Sequence, residues 1–168
     1  MKVREGFAYH ISDEYFDLAQ SYGVKNKTDS GNTFPSYCCS KDSDNGLYWM
    51  VPMSTKIGKY GAIIEKETQK YGRCFSVVVG SYDMKEVAFQ VQGMFPVKKR
   101  HVLHEHTRKG KVVSVSPETR TEIRRCFDKT IELSKKGIIC TMTDIASLTQ
   151  FYSHNSYDGD VTDHVNDY

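Results

Sequence analysis

Asn45-Gly46 constrains this chain more than any other dipeptide in it. The pair closes the polar stretch Lys41-Asp42-Ser43-Asp44-Asn45-Gly46. Asn-Gly between two apolar runs is a strong β-hairpin signal, because a tight primed turn needs residues that accept positive φ. The flanking runs, Tyr37 to Ser40 and Leu47 to Val51, therefore read as antiparallel neighbours. A second hairpin is expected from Cys74–Gly80 and Val87–Val91, with Ser81 to Glu86 as its turn. Phe7 to Ile11, Phe95 to Val97 and Ile138 to Cys140 read as further short strands, with Pro96 tolerable on an edge.

Helices fill the connections. Ser12 is a natural N-cap, Asp13 and Glu14 suit a first helical turn, and Gly23 is a natural stop. Between them, Tyr15, Phe16, Leu18, Ala19 and Tyr22 form an apolar stripe. Ile57 to Tyr71 has an exposed charged side and ends at Gly72. The clearest helix has Ser116 as cap, Pro117 at N1 and Glu118 in its first turn, and closes at Gly137. Thr143 is placed to cap a last helix through Leu148 and Phe151. Lys25 to Ser36 reads as a loop. The expected class is α+β: a compact antiparallel sheet with connecting and C-terminal helices. One domain spans residues 1–153, and 154–168 form an acidic polar tail with four Asp and no Lys or Arg.

Several function classes drop out. No GxGxxG, P-loop, HExxH or GxSxG string occurs, so the sequence gives no ground for a nucleotide cofactor or a serine hydrolase. The five cysteines are odd in number and contain no CxxC pair. They suggest neither a disulfide framework nor a zinc ribbon, and free thiols point to the reducing cytoplasm. No apolar run approaches a membrane span, and no secretory h-region follows Met1. Net charge is only +2, but it is uneven. Val97 to Lys111 holds six Lys or Arg, three His and one acid.

That basic stretch suits a phosphate backbone. Lys98, Lys99, Arg100, His101, His104, Arg108, Lys109 and Lys111 are candidate RNA contacts, a solvated basic loop being the plainer alternative. The spacing of His101, His104 and His106 is not a standard zinc pattern, so no metal is assigned. A second candidate region follows the strand that stops at Pro52. Ser54, Thr55, Lys56, Lys59 and Tyr60 lie on the loop beyond it, a way to deliver hydroxyls and ammonium groups to a phosphate. The plainer alternative is a helix cap with solvated lysines. His10 is a possible acid–base group near neutral pH, and Tyr9, Tyr37 and Tyr60 could stack on bases or pack in the core. The cysteines read as small core residues with no adjacent base.

Two strings carry a resemblance. Leu47-Tyr48-Trp49-Met50-Val51-Pro52-Met53-Ser54-Thr55-Lys56, followed by Lys59-Tyr60, resembles the strand-Pro-x-Ser-Ser-Lys segment of the type III toxin–antitoxin toxins. Phe89-Gln90-Val91-Gln92-Gly93-Met94-Phe95-Pro96 resembles a strand of the same proteins. The likeness spans about residues 7 to 152 and is closest to the CptN branch of the ToxN/AbiQ group. It implies a highly twisted, partly barrel-like sheet similar to MazF and Kid. It implies a bacterial phage-defence endoribonuclease that needs neither metal nor cofactor and cuts mRNA and its own antitoxin precursor. The implied partner is a repeated pseudoknot RNA in a closed toxin–RNA assembly, with no protein antitoxin and no membrane. On this resemblance Ser54, Thr55, Lys56, Lys59 and His10 are the catalytic candidates. Relatives place Arg or Lys before the preceding Pro, where this chain has Phe34, so Lys25 or Lys27 must supply that charge or the role is missing. A non-catalytic RNA-binding module and a protein-interaction domain with a basic strip stay open as alternatives.

Overall fold

The computed structural model describes residues 1–25, 28–29 and 32–154. In chain order the elements are β1 (Ala8–Ile11), α1 (Asp13–Ala19), β2 (Thr28–Asp29), β3 (Asn32–Thr33), β4 (Ser36–Asp42), β5 (Leu47–Ser54) and α2 (Gly61–Tyr71). They continue as β6 (Val78–Tyr82), β7 (Lys85–Phe89), β8 (Phe95–Lys98), β9 (Val102–Glu105), β10 (Thr107–Arg108), β11 (Lys111–Val112), α3 (Pro117–Lys135) and α4 (Ile145–His154). The class is α+β. A seven-stranded antiparallel sheet runs β6-β7-β5-β4-β1-β9, with β8 also on β5.

The expected barrel-like closure is corrected: the end strands of the path, β6 and β9, do not pair, and the sheet stays open. The cause lies in β5. One edge of it pairs with β4 along the strand's length, Asp42 opposite Leu47 and Ser36 opposite Pro52. Its other edge is divided. Leu47 to Met50 pair with β8, whereas Met53 and Ser54 pair with β7. The two halves of the sheet therefore fan apart. Pro52 sits at the handover, so β5 does not end there, contrary to expectation. The carbonyl of Pro52 accepts from the Gln90 N–H at 2.8 Å on the divided edge. Its missing N–H would face the same edge, between the two partner strands, where a proline costs the ladder least.

Both faces of the sheet are covered, which explains why β5 is apolar almost throughout rather than alternating. Trp49, Val51 and Met53 face α3 with Tyr37, Cys39 and Phe89, meeting Ile123, Cys126 and Phe127. Tyr48 and Met50 face the other way, with Cys38, Phe95 and Val97, and meet Tyr15 and Phe16 of α1 and Leu148 and Tyr152 of α4. Each such side chain contributes about 1.5–3 kcal/mol by leaving water. α2 packs Ile63 and Ile64 beside Val77 and Ala88.

The caps follow the sequence closely. Ser12 and Ser116 accept from the backbone N–H groups of Tyr15 and Thr119. Asp144, not Thr143, caps α4: its carboxylate accepts from the Ser147 N–H at 3.1 Å, while the Thr143 hydroxyl donates to the Met94 carbonyl. Two strand boundaries also differ from expectation. Cys74 to Val77 is not strand, because the Glu67 carboxylate of α2 takes the N–H groups of Phe75 and Ser76, the Ser76 hydroxyl and the Cys74 thiol. Burial alone would raise the Glu67 carboxyl, yet these donors hold it below the usual range. Ile138 to Cys140 is not strand either, and Ile139 is 93% exposed. The β6–β7 hairpin turns through Asp83 and Met84, both left-handed at φ 52° and 61°.

α3 approaches the sheet closely at Gly80 of β6. A Cβ built there would lie 2.6 Å from the Thr119 methyl, and the Thr119 hydroxyl is itself held by Ser116 Oγ at 3.0 Å. Gly80→Ala is therefore expected to lower unfolding free energy by about 1–3 kcal/mol through overpacking. Thr119→Ala in the same chain is expected to recover most of that loss. Urea midpoints of the two single variants and the double variant measure the coupling.

Candidate functional site

The end of β5 delivers Ser54 and Thr55 to the wall of a cavity of about 180 Å³. Phe34 and Pro35 enter it from the start of β4, Tyr82 and Asp83 from the end of β6, and Lys85 and Val87 from β7. His106, just past β9, completes the wall. Ser54 Oγ accepts from the Lys56 N–H at 3.2 Å, which fixes the loop in a tight serine turn. The Tyr82 hydroxyl is buried and has no hydrogen-bond partner among the described residues. A buried phenol left unsatisfied is costly, and here it belongs to a residue lining a cavity.

His106 belongs to a ladder of three imidazoles. β1 and β9 pair with His10 opposite His104. Residues two apart on a strand share a face, so His106 falls beside them. The His10 and His104 rings stack with centroids 4.5 Å apart, and His10 Nε2 lies 3.1 Å from His106 Nδ1. The Tyr82 ring lies 5.9 Å from that of His106. Burial pushes His106 below the usual histidine range, Asp83 opposes the shift and His104 adds to it. His106 is thus a neutral imidazole near pH 7. When its Nδ1–H donates to His10, Nε2 keeps a lone pair, the form a general base needs.

The remaining candidates are placed as follows. Lys56 and Lys59 are exposed and flank the loop without lining the cavity; the Lys59 ammonium lies 5.9 Å from the Tyr60 ring centroid. Three stacking candidates are buried instead, which corrects that expectation. Tyr9 is 0% exposed and its hydroxyl accepts from the Arg4 N–H at 2.8 Å, while Tyr37 and Tyr60 are 2% and 5% exposed. His101 is likewise a core residue, with Ser12 Oγ 3.2 Å from Nδ1 and Arg100 Nε donating to Nε2 at 3.1 Å. Lys25, Lys99 and Arg100 are exposed, and Lys98 donates to the Asn45 carbonyl at 2.7 Å. Lys27 and the tail beyond residue 154 lie outside the described residues.

Much of the basic stretch is strand, not the solvated loop of the plainer alternative. β9 joins the sheet, and β10 and β11 form a two-rung hairpin that carries Arg108, Lys109 and Lys111. Arg108 ties that hairpin to Asp83 at the cavity rim, N to O 3.1 Å. Four polar cavity residues escaped the sequence reading as site residues: Tyr82, Asp83, Lys85 and His106. The signal for His106 was present in the alternation His104-Glu105-His106, which a strand turns into two imidazoles on one face. Among the described residues no three His, Cys, Asp or Glu side chains are grouped to hold a metal ion. The thiols offer no nucleophile, because burial raises Cys38 and Cys126 to about 12 and Cys39 well above its ordinary value. Among the described residues no helix is long and apolar enough to cross a membrane.

The lowered His106 has a consequence for acid stability. The unfolded chain takes up that proton near pH ~6.5, whereas the folded chain takes it up only at lower pH. Unfolding therefore binds protons below about pH 6.5, and stability falls as pH drops through that range. Chemical denaturation of the parent at pH 7.5 and 5.5 is expected to show this loss, and His106→Asn to show a smaller one.

No protein-family model matches the chain, and no curated protein matches it either.

Proposed function

We propose that the protein is a metal-independent endoribonuclease of the type III toxin class, with a MazF/Kid-like ancestry for its sheet. The observation that carries this reading is the cavity in which Ser54 and Thr55 meet His106, across 52 positions of sequence, beside the unpartnered Tyr82 hydroxyl. The two strings that carry the resemblance are also neighbours in the sheet: Met53 pairs with Phe89, and Met50 with Phe95.

The chemistry needs no cofactor. His106 Nε2 takes the proton of the substrate 2′-hydroxyl, and the 2′-oxygen attacks phosphorus. Ser54, Thr55 and the Tyr82 hydroxyl donate to the phosphoryl oxygens as charge develops there. Lys85 neutralises that charge and hands a proton to the leaving 5′-oxygen. The P–O2′ bond forms and the P–O5′ bond breaks, leaving a 2′,3′-cyclic phosphate and a 5′-hydroxyl. Lys85 takes the place of the basic residue that relatives carry before Pro35. Lys56, Lys59 and the Arg108–Lys111 hairpin hold the flanking backbone. The same surface accepts cellular mRNA and a folded antitoxin RNA.

The apolar Phe34–Pro35 wall favours a second reading, an RNA-binding module that does not cut. Incubation with total cellular RNA in EDTA separates the two. The parent is expected to produce cuts with cyclic-phosphate ends. Ser54→Ala and His106→Ala are each expected to slow cutting about 10²- to 10³-fold. Tight, salt-sensitive binding without cuts would establish the second reading.

A further inference from the structure

A second opening lies on the α3 side of the sheet, a groove of about 630 Å³ whose walls include Glu5, Gly6, Tyr37, Arg120, Arg124 and Asp128. Its arginines differ in how they are held. Arg124 is paired with Asp128 at 3.1 Å and lies 3.8 Å from Glu5, and Arg125 is paired with Glu122 at 2.6 Å. Arg120 has no carboxylate partner among the described residues; its side chain hydrogen-bonds the Tyr37 hydroxyl. Its guanidinium lies flat over Gly6, where a Cβ would sit 2.6 Å from Cζ and where φ is +92°. The glycine thus makes the seat on which this cation rests. Pro117 of the first turn of α3 also lines the groove, so the positive end of a 19-residue helix faces it.

The groove lies close to the cavity, though the two share no lining residue: Pro35 lines the cavity and Tyr37 lines the groove. Two residues of extended chain span about 7 Å, so the two linings are neighbours along the backbone at the start of β4. A planar guanidinium held by its seat is suited to bidentate contact with a phosphate.

We propose that Arg120, seated on Gly6 and Tyr37, binds a backbone phosphate of single-stranded RNA as that strand leaves the Ser54–Thr55 cavity. The proposal rests on the ribonuclease reading for its substrate, but its test does not depend on cleavage. The contact is sequence-independent and adds affinity for long substrates only.

The test uses the full chain carrying Ser54→Ala and fluorescence anisotropy with a labelled oligouridylate long enough to cover both openings. Arg120→Gln is expected to weaken binding about tenfold at low salt and to reduce the log–log salt slope by about 0.7, the increment for one phosphate on a single strand. Gly6→Ala is expected to give the same loss with Arg120 intact. Arg120→Lys is expected to restore the slope but only part of the affinity. The near-UV circular dichroism spectrum of Arg120→Gln is expected to match that of its parent, which reports correct folding. Equal affinity and slope in Arg120→Gln and its parent would overturn the groove contact and leave the ribonuclease reading intact. Arg120-dependent binding by a parent that cuts nothing would support the groove and overturn the ribonuclease. Displacement of the RNA by polyglutamate as readily as by unlabelled oligouridylate would overturn the proposal in favour of an acidic protein partner.

Discussion

The architecture depends on the divided edge of β5. A strand normally offers each edge to one neighbour, but β5 gives its first half to β8 and its end to β7. The short helical turn Val91–Gly93 carries the chain from one partner to the other. Gln90, at its start, bonds Pro52 across the gap. This handover opens the sheet, turns the end of β5 outward and lets the β6–β7 hairpin rise beside it. Ser54 and Thr55 occupy a cavity because the strand carrying them has changed partners two residues earlier. The rest of the cavity wall comes from strands or from residues next to a strand end, which holds those side chains in place.

Much of the fold was legible because local signals agreed with the tertiary structure. Ser116-Pro117-Glu118 and Gly137 bounded α3, and the polar turn before Leu47 fixed the central hairpin, with Gly46 at φ 63° and the Asp42 carboxylate accepting from the Asp44 and Asn45 N–H groups. The misread segments answer to distant groups. Cys74 to Val77 has strand composition, but a carboxylate seven to nine positions away takes its donors. Pro52 reads as a strand end unless the sheet is known to change partner at that point. Val102 to Glu105 is a strand because one of its edges pairs with β1, not because of its composition.

The site was legible in its parts and not in its assembly. The hydroxyls and His10 were readable from residue type and from resemblance. The His ladder needed the register of β1 against β9, which no local pattern specifies. Tyr9, Tyr37 and His101 illustrate the opposite failure. Each has the chemistry of a ligand-binding residue, and each is buried by the core, with its polar atom bonded to the protein itself. Aromatic and histidine side chains carry an apolar body with a polar tip, so residue type alone does not decide which of the two the fold uses.

The β6–β7 turn has a further meaning. Two consecutive non-glycine residues in the left-handed region cost about 1–2 kcal/mol each relative to the glycines that such a turn favours. Met84 is 90% exposed and gains no packing in return. Asp83 does have a task, since its carboxylate holds Arg108 and stands at the cavity rim. At that position the chain has given up stability for a charge placed beside His106. Backbone strain held beside a cavity and tied to an ion pair is what distinguishes Asp83 from Met84 in this turn.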